Sequence, residues 1–149
     1  MNTDNFKLVA LEDLVGHRFR DPDVLREALT HASLKRSSWN LYERLEFLGD
    51  RVLGLVISES LLKRFPDERE GQIARRYAKL VRRDSLAVVA RKIKFGDYVL
   101  ISAGEEAAGA RESITILSDA LEAVIGALYW DGGLEAAKRF ILEHWESLL

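Results

Sequence analysis

Leu41-Tyr42-Glu43-Arg44-Leu45-Glu46-Phe47-Leu48-Gly49-Asp50-Arg51-Val52-Leu53-Gly54-Leu55-Val56-Ile57-Ser58-Glu59-Ser60-Leu61-Leu62-Lys63-Arg64 is the stretch on which the fold turns. Apolar residues recur through it at three-and-four spacing, and no proline appears until Pro66, so it predicts one long helix over 41–64. Its middle, Val52 to Ile57, is apolar almost all round, the composition of a helix at the centre of a bundle. At 100° per residue, Glu43, Glu46 and Asp50 share an arc of roughly 60°. The same arc continues through Gly54, Ile57 and Leu61, so these carboxylates are expected to point towards the core.

Outwards from this helix the chain keeps a helical pattern, and all-α is the expected fold class. Lys7 to Val15 predicts a first helix ended by Gly16, and Asp21-Pro22 supplies a cap and first-turn proline for a second through Thr30. Lys35 to Trp39 reads as loop. Gly71 to Val81 and Ser85 to Ile93 predict two more helices. Residues 102–113, with two glycines and no apolar periodicity, read as a mobile loop. Ile114 to Trp130 and Leu134 to Leu149 predict two closing helices separated by Asp131-Gly132-Gly133.

The chain has 149 residues, 48% hydrophobic and 31% charged, as expected of one globular domain spanning 1–149. It holds no cysteine, which excludes disulfides and thiolate zinc sites and fits a cytoplasmic location. Met1 to Asn5 lacks a basic and apolar leader, and no apolar run approaches the ~20 residues that span a bilayer, so no membrane partner is expected. The net charge of −2 hides a strong segregation: residues 63–94 carry 11 basic and 4 acidic side chains, residues 95–149 carry 3 and 10. The basic segment is either a polyanion surface or a solvated helical pair, and composition alone leaves both open.

A second carboxylate stripe lies in the penultimate predicted helix. Asp119 and Glu122 are the only charged residues between Ile114 and Trp130, and their arc runs on through Gly126 and Tyr129. Five ionised carboxylates brought together repel at roughly 3 kcal/mol per pair at ~6 Å and an effective dielectric of ~20. Raised pKa values, basic partners or hard divalent cations would relieve them, and oxygen-only donors favour Mg²⁺ or Mn²⁺. A carboxylate-bridged di-iron bundle wants Glu-x-x-His pairs, and the sequence has none. Glu43 has a structural alternative, a capping box with Asn40. Gly49 and Gly126 read as close-packing positions, Trp39, Trp130 and Trp145 as core or interface. His17, His31 and His144 are scattered and read as far from any acidic pair, His31 capping or packing near the end of its helix.

The segment Tyr42 to Leu53 resembles the signature of the ribonuclease III endonucleases. The similarity extends to Ala28-Leu29-Thr30-His31, Phe65-Pro66, Glu70-Gly71, Leu80-Val81, Ser113 to Gly126 and Asp131-Gly132-Gly133. The resemblance implies an all-α, homodimeric endonuclease domain that cleaves double-stranded RNA with Mg²⁺. It implies that Glu46, Asp50, Asp119 and Glu122 form the metal and catalytic site, that Glu43 and Glu70 lie beside it along the substrate, and that Phe47 packs into the second subunit. Products with 5′-phosphates, 3′-hydroxyls and short 3′ overhangs follow, with ribosomal and other structured precursors as substrates. The basic 63–94 segment would contact phosphates.

Two residues depart from the family pattern: Tyr42 stands where Asn is usual, and Arg51 where Ser or Ala is usual, long enough to reach a carboxylate or another subunit. Most bacterial members also carry a C-terminal double-stranded-RNA-binding domain; this chain stops at Leu149, and truncation of an ordinary member is the expectation. Other classes are a silent dimerisation or RNA-binding module, which would be expected to lose metal ligands, and a helical scaffold whose acidic stripes pair with arginine.

Overall fold

The computed structural model describes residues 3–31, 34 and 41–149. The Lys35 to Trp39 loop, including Trp39, and the Asn40 cap weighed for Glu43 lie outside the described residues. The helices described are α1 Thr3–Val15, α2 Pro22–Leu29, α3 Leu41–Arg64, α4 Glu70–Val81, α5 Arg83–Lys92, α6 Ala103–Ala107 and α7 Ile114–Trp145. Among the described residues the extended pairing is one parallel bridge between Thr30 and Leu100, so the fold is all-α as expected. None of these helices is long and apolar enough to cross a membrane.

α3 sits at the centre because its apolar residues surround it: Val52, Leu53, Val56, Ile57 and Leu61 are all buried. The carboxylate arc does run inwards, through buried Gly54, Ile57 and Leu61. α7 is the other core helix, burying Leu117, Leu121, Val124, Ile125 and Leu128, and Trp145 seals its far end by donating Nε1–H to the Leu80 carbonyl at 3.0 Å. Trp130, in contrast, is 70% exposed and is no part of the core.

The α3–α7 contact is the most extensive between two described helices, and it is made backbone to backbone. A Cβ at Gly49 would stand 1.7 Å from the Glu122 carbonyl oxygen, and one at Gly126 would stand 2.0 Å from that of Leu45. Only hydrogen fits at both positions, which confirms close packing as their role.

One expectation needs correction. Residues 102–113 form α6 and a 3₁₀ turn, Ala110–Glu112, rather than an irregular loop. Polar contacts without apolar periodicity hold the segment: Ser102 caps α6 by accepting from the Glu105 N–H at 3.3 Å, and Arg111 donates to the Gly96 and Val99 carbonyls at 2.7 Å each while pairing with Glu106. The two closing helices are separated as expected: within the run Ile114–Trp145 the backbone leaves the helical conformation at Gly133, at φ +77° and ψ −177°, a conformation glycine adopts freely. His17 meets Asp131, which belongs to neither carboxylate stripe: its Nε2 lies 2.7 Å from Asp131 Oδ2, and Asp131 also accepts the Arg20 and Asp21 N–H groups at 2.9 and 3.0 Å. The helix break therefore doubles as a clasp on the α1–α2 connection.

Candidate active site

The Gly49–Gly126 crossing decides where the acidic side chains go. Glu46 lies one turn before Gly49 and Asp50 next to it; Glu122 and Asp119 lie one and two turns before Gly126. With the backbones in contact, the four carboxylates face one another, all half-buried. A cleft of about 420 Å³ is lined by Glu43, Glu46, Phe47, Asp50, Arg51 and Glu122. Asp119 joins it through a side-chain hydrogen bond with Glu46. Glu70 begins α4, is exposed, and is not among the residues lining this cleft.

Burial and mutual repulsion make both glutamates hold their protons more tightly than an ordinary carboxyl does. Burial, then Asp50, Glu46 and Asp119, push Glu122 up to about 8. Burial, then Asp119 as neighbouring charge and as hydrogen-bond partner, push Glu46 up to about 7, with Glu43 adding to the effect. Tyr42 is buried on the same helix one turn before Glu46; its hydroxyl is held well above the ordinary phenol range by burial and by Asp119, Glu46 and Glu122. Each shift has the sign expected when a charged form is desolvated among like charges.

Two arginines oppose this negative charge. Arg83, the first residue of α5, places a guanidinium nitrogen 3.6 Å from Asp119 Oδ1 and donates to the Thr115 hydroxyl at 3.0 Å. It is the charge that draws both Glu46 and Glu122 back down. Arg51 pairs with Asp50, and its guanidinium carbon lies 4.4 Å from the centroid of the Phe47 ring. Phe47 is 63% exposed at the lip of the cleft.

Among the described residues no three acidic or histidine side chains are already drawn around one point as a ligand set. The donor chemistry fits a hard divalent cation all the same: oxygen donors on two helices locked backbone to backbone, no histidine lining the cleft, and excess negative charge that protons now relieve. Thr115, Tyr42 and Arg83 are site residues that the sequence reading missed. Tyr42 was findable, since it stands four residues before Glu46 and so shares its face. Arg83 was not, because its sequence surroundings match those of its basic neighbours.

An all-helical domain with a four-carboxylate cleft set by a glycine-to-glycine helix crossing is a defined class, and comparison with known proteins names it. A family model described as Ribonuclease-III-like matches residues 21–147. Ribonuclease 3 of Dinoroseobacter shibae is 49% identical over 139 residues, 93% of this chain and 61% of that protein. Ribonuclease 3 of the Wolbachia of Brugia malayi is 43% identical over 158 residues, 99% of this chain and 65% of that protein. The nuclease domain of ribonuclease III from Campylobacter jejuni superimposes with a TM-score of 0.87 at 42% identity, covering 99% of this chain and 97% of that one. A second structure of that domain, described for flexibility in a region involved in dimer formation, gives 0.83 at 43% identity over 94% and 97%. The chain belongs to the ribonuclease III family. It spans about three-fifths of the length of the curated relatives it matches.

Proposed function

We propose that this chain is the endonuclease domain of a cytoplasmic, divalent-cation-dependent endoribonuclease that cuts double-stranded RNA as a homodimer. The observation that carries the reading is the crossing at Gly49 and Gly126, which gathers Glu46, Asp50, Asp119 and Glu122 within a fold shared with a ribonuclease III nuclease domain. Glu46, Asp50, Asp119 and Glu122 would hold Mg²⁺, or Mn²⁺ in its place. When bound, the cation supplies a water activated for in-line attack on phosphorus and stabilises charge on the departing 3′-oxygen.

The chain's own residues position and neutralise. Glu122 and Glu46 must release their protons to act as ligands, so loading improves as pH rises through about 7 to 8. No side chain serves as a covalent nucleophile, which leaves a 5′-phosphate and a 3′-hydroxyl. Exposed Phe47 at the cleft lip packs into the second copy, and two sites related by a two-fold axis leave short 3′ overhangs. Glu43 at the cleft and Glu70, which begins α4, flank the substrate strand; the basic α4–α5 surface contacts phosphates, so cleavage falls steeply with salt. Ribosomal and other structured precursors are the substrate class.

The test is incubation with a long RNA duplex at low salt, with Mg²⁺, with Ca²⁺ or with chelator. Conversion to short duplexes in Mg²⁺ alone is expected, and Glu122→Gln should abolish it while the circular dichroism spectrum stays unchanged. An unimpaired Glu122→Gln rate would overturn the assignment of the cleft.

A further inference from the structure

We propose that Arg51 and Arg83 are resident counter-ions of the acidic cleft: they hold Asp50 and Asp119 while no divalent cation is bound, and so set the concentration at which one binds. The inference rests on the reading of the cleft as a cation site. Its basis is a division of labour among four carboxylates. Each aspartate has one arginine of its own, Asp50 that of α3 and Asp119 that of α5, while Glu46 and Glu122 have no direct arginine contact among the described residues.

Helix spacing does not enforce the first pair. Neighbours one residue apart point about 100° away from each other, so Arg51 must fold back along α3 to meet Asp50. Both guanidiniums are more than half exposed, at 62% and 58% of the side chain, which makes each grip weak and readily exchanged. Each arginine also has a second seat at the cleft: the face of Phe47 for Arg51, and the Thr115 hydroxyl for Arg83. A guanidinium that yields its aspartate to a cation thus has a place to go without leaving the site. The two arginines are positioning residues, and neither needs to touch the reacting atoms.

Like charges compete for the same carboxylates, so removing an arginine strengthens cation binding. A unit charge about 5 Å from a divalent ion, in water screened by salt at about physiological ionic strength, shifts its affinity by roughly three- to tenfold. Titration calorimetry of the whole chain with Mg²⁺ alone, and separately with Ca²⁺, measures this on Arg51→Gln, Arg83→Gln and the double variant. Each single variant should bind the cation roughly three- to tenfold more tightly, the double more tightly still, and Arg51→Lys and Arg83→Lys close to the starting protein. In chelator the glutamine variants should melt lower than the starting protein, with the gap closing in saturating Mg²⁺, a crossover that simple loss of packing does not produce. Folded glutamine variants that bind the cation equally or more weakly would overturn the inference and leave the cleft reading intact. An unaltered chain that binds neither cation would overturn both.

Discussion

Two depressions of similar size show opposite treatments of charge. The acidic cleft has a volume of about 420 Å³; the other, about 470 Å³, lies between α4 and the chain end and is lined by Glu68, Arg75, Arg76 and Lys79 among others. In the second, charge is matched at the surface: Arg76 grips Glu68 through two nitrogens, at 2.7 and 2.8 Å, and the guanidinium holds the Glu68 carboxyl below the usual range. In the first, Glu46 and Glu122 are pushed the other way, because burial and like charges outweigh Arg83. Surface ion pairs settle themselves at little energetic consequence. A half-buried cluster of four carboxylates does not: burial and like charge push its glutamates towards the protonated form, which a hard divalent cation would reverse.

The difference depends on how closely α3 approaches α7, so the largest effect should come from prising them apart. Gly49→Ala puts a methyl 1.7 Å from a backbone oxygen that no rotamer change can move. A loss of about 3 kcal/mol or more is expected in denaturant unfolding, with cation binding lost in whatever remains folded. Gly71, where an added Cβ meets nothing within 4 Å, is the control. Near-normal stability of Gly49→Ala would mean that the crossing does not hold the carboxylates together.

A smaller effect should appear as an inverted pH dependence in the cation-free protein. Glu46 and Glu122 have folded values of about 7 and 8 against an ordinary 4.5, so between these limits the folded state binds more protons than the unfolded chain. Stability is then greatest near or below pH 4.5, as far as these two groups are concerned, and falls as pH rises through 8. Solvent still reaches Glu46, so the combined fall is on the order of 1–3 kcal/mol. Melting temperatures in chelator should decline across this window, and the slope should shrink in Glu122→Gln and in saturating Mg²⁺. A profile that climbs from pH 5 to 8 in chelator would show that the glutamates ionise normally, erasing the contrast between the depressions.

The parts of this arrangement legible in the sequence are those written as periodicity. α3 runs over 41–64 as its apolar spacing predicts, and the two carboxylate stripes were visible as charges on arcs that continue into the core. Gly126 lies on the second of those arcs and Gly49 stands beside Asp50 in α3, so both were readable as close-packing positions. Pairings between polar groups far apart in sequence leave no such trace. His17 meets Asp131 across 114 residues, and nothing near either residue announces it. Arg83 looks like any member of the basic segment until α5 places it against Asp119. α6 was hidden for a related reason, since a serine cap and Arg111 hold it rather than an apolar face.

The smallest expected effect tests the other half of the contrast. Glu68→Gln removes the charge that Arg76 grips, yet the guanidinium keeps its seat 3.7 Å from the Phe65 ring centroid, and both partners exchange their contact for water. The melting temperature should stay within experimental scatter from pH 5 to 8, with or without Mg²⁺, in the same buffers where Glu122→Gln changes the slope. Cation affinity should also be unchanged, because Glu68 does not line the acidic cleft. A clear loss of stability in Glu68→Gln would show that this pair, too, carries structural charge that solvent cannot replace. Burial and not pairing alone would then no longer separate the two depressions, and the case for reading the acidic one as the reactive site would rest on its donor set.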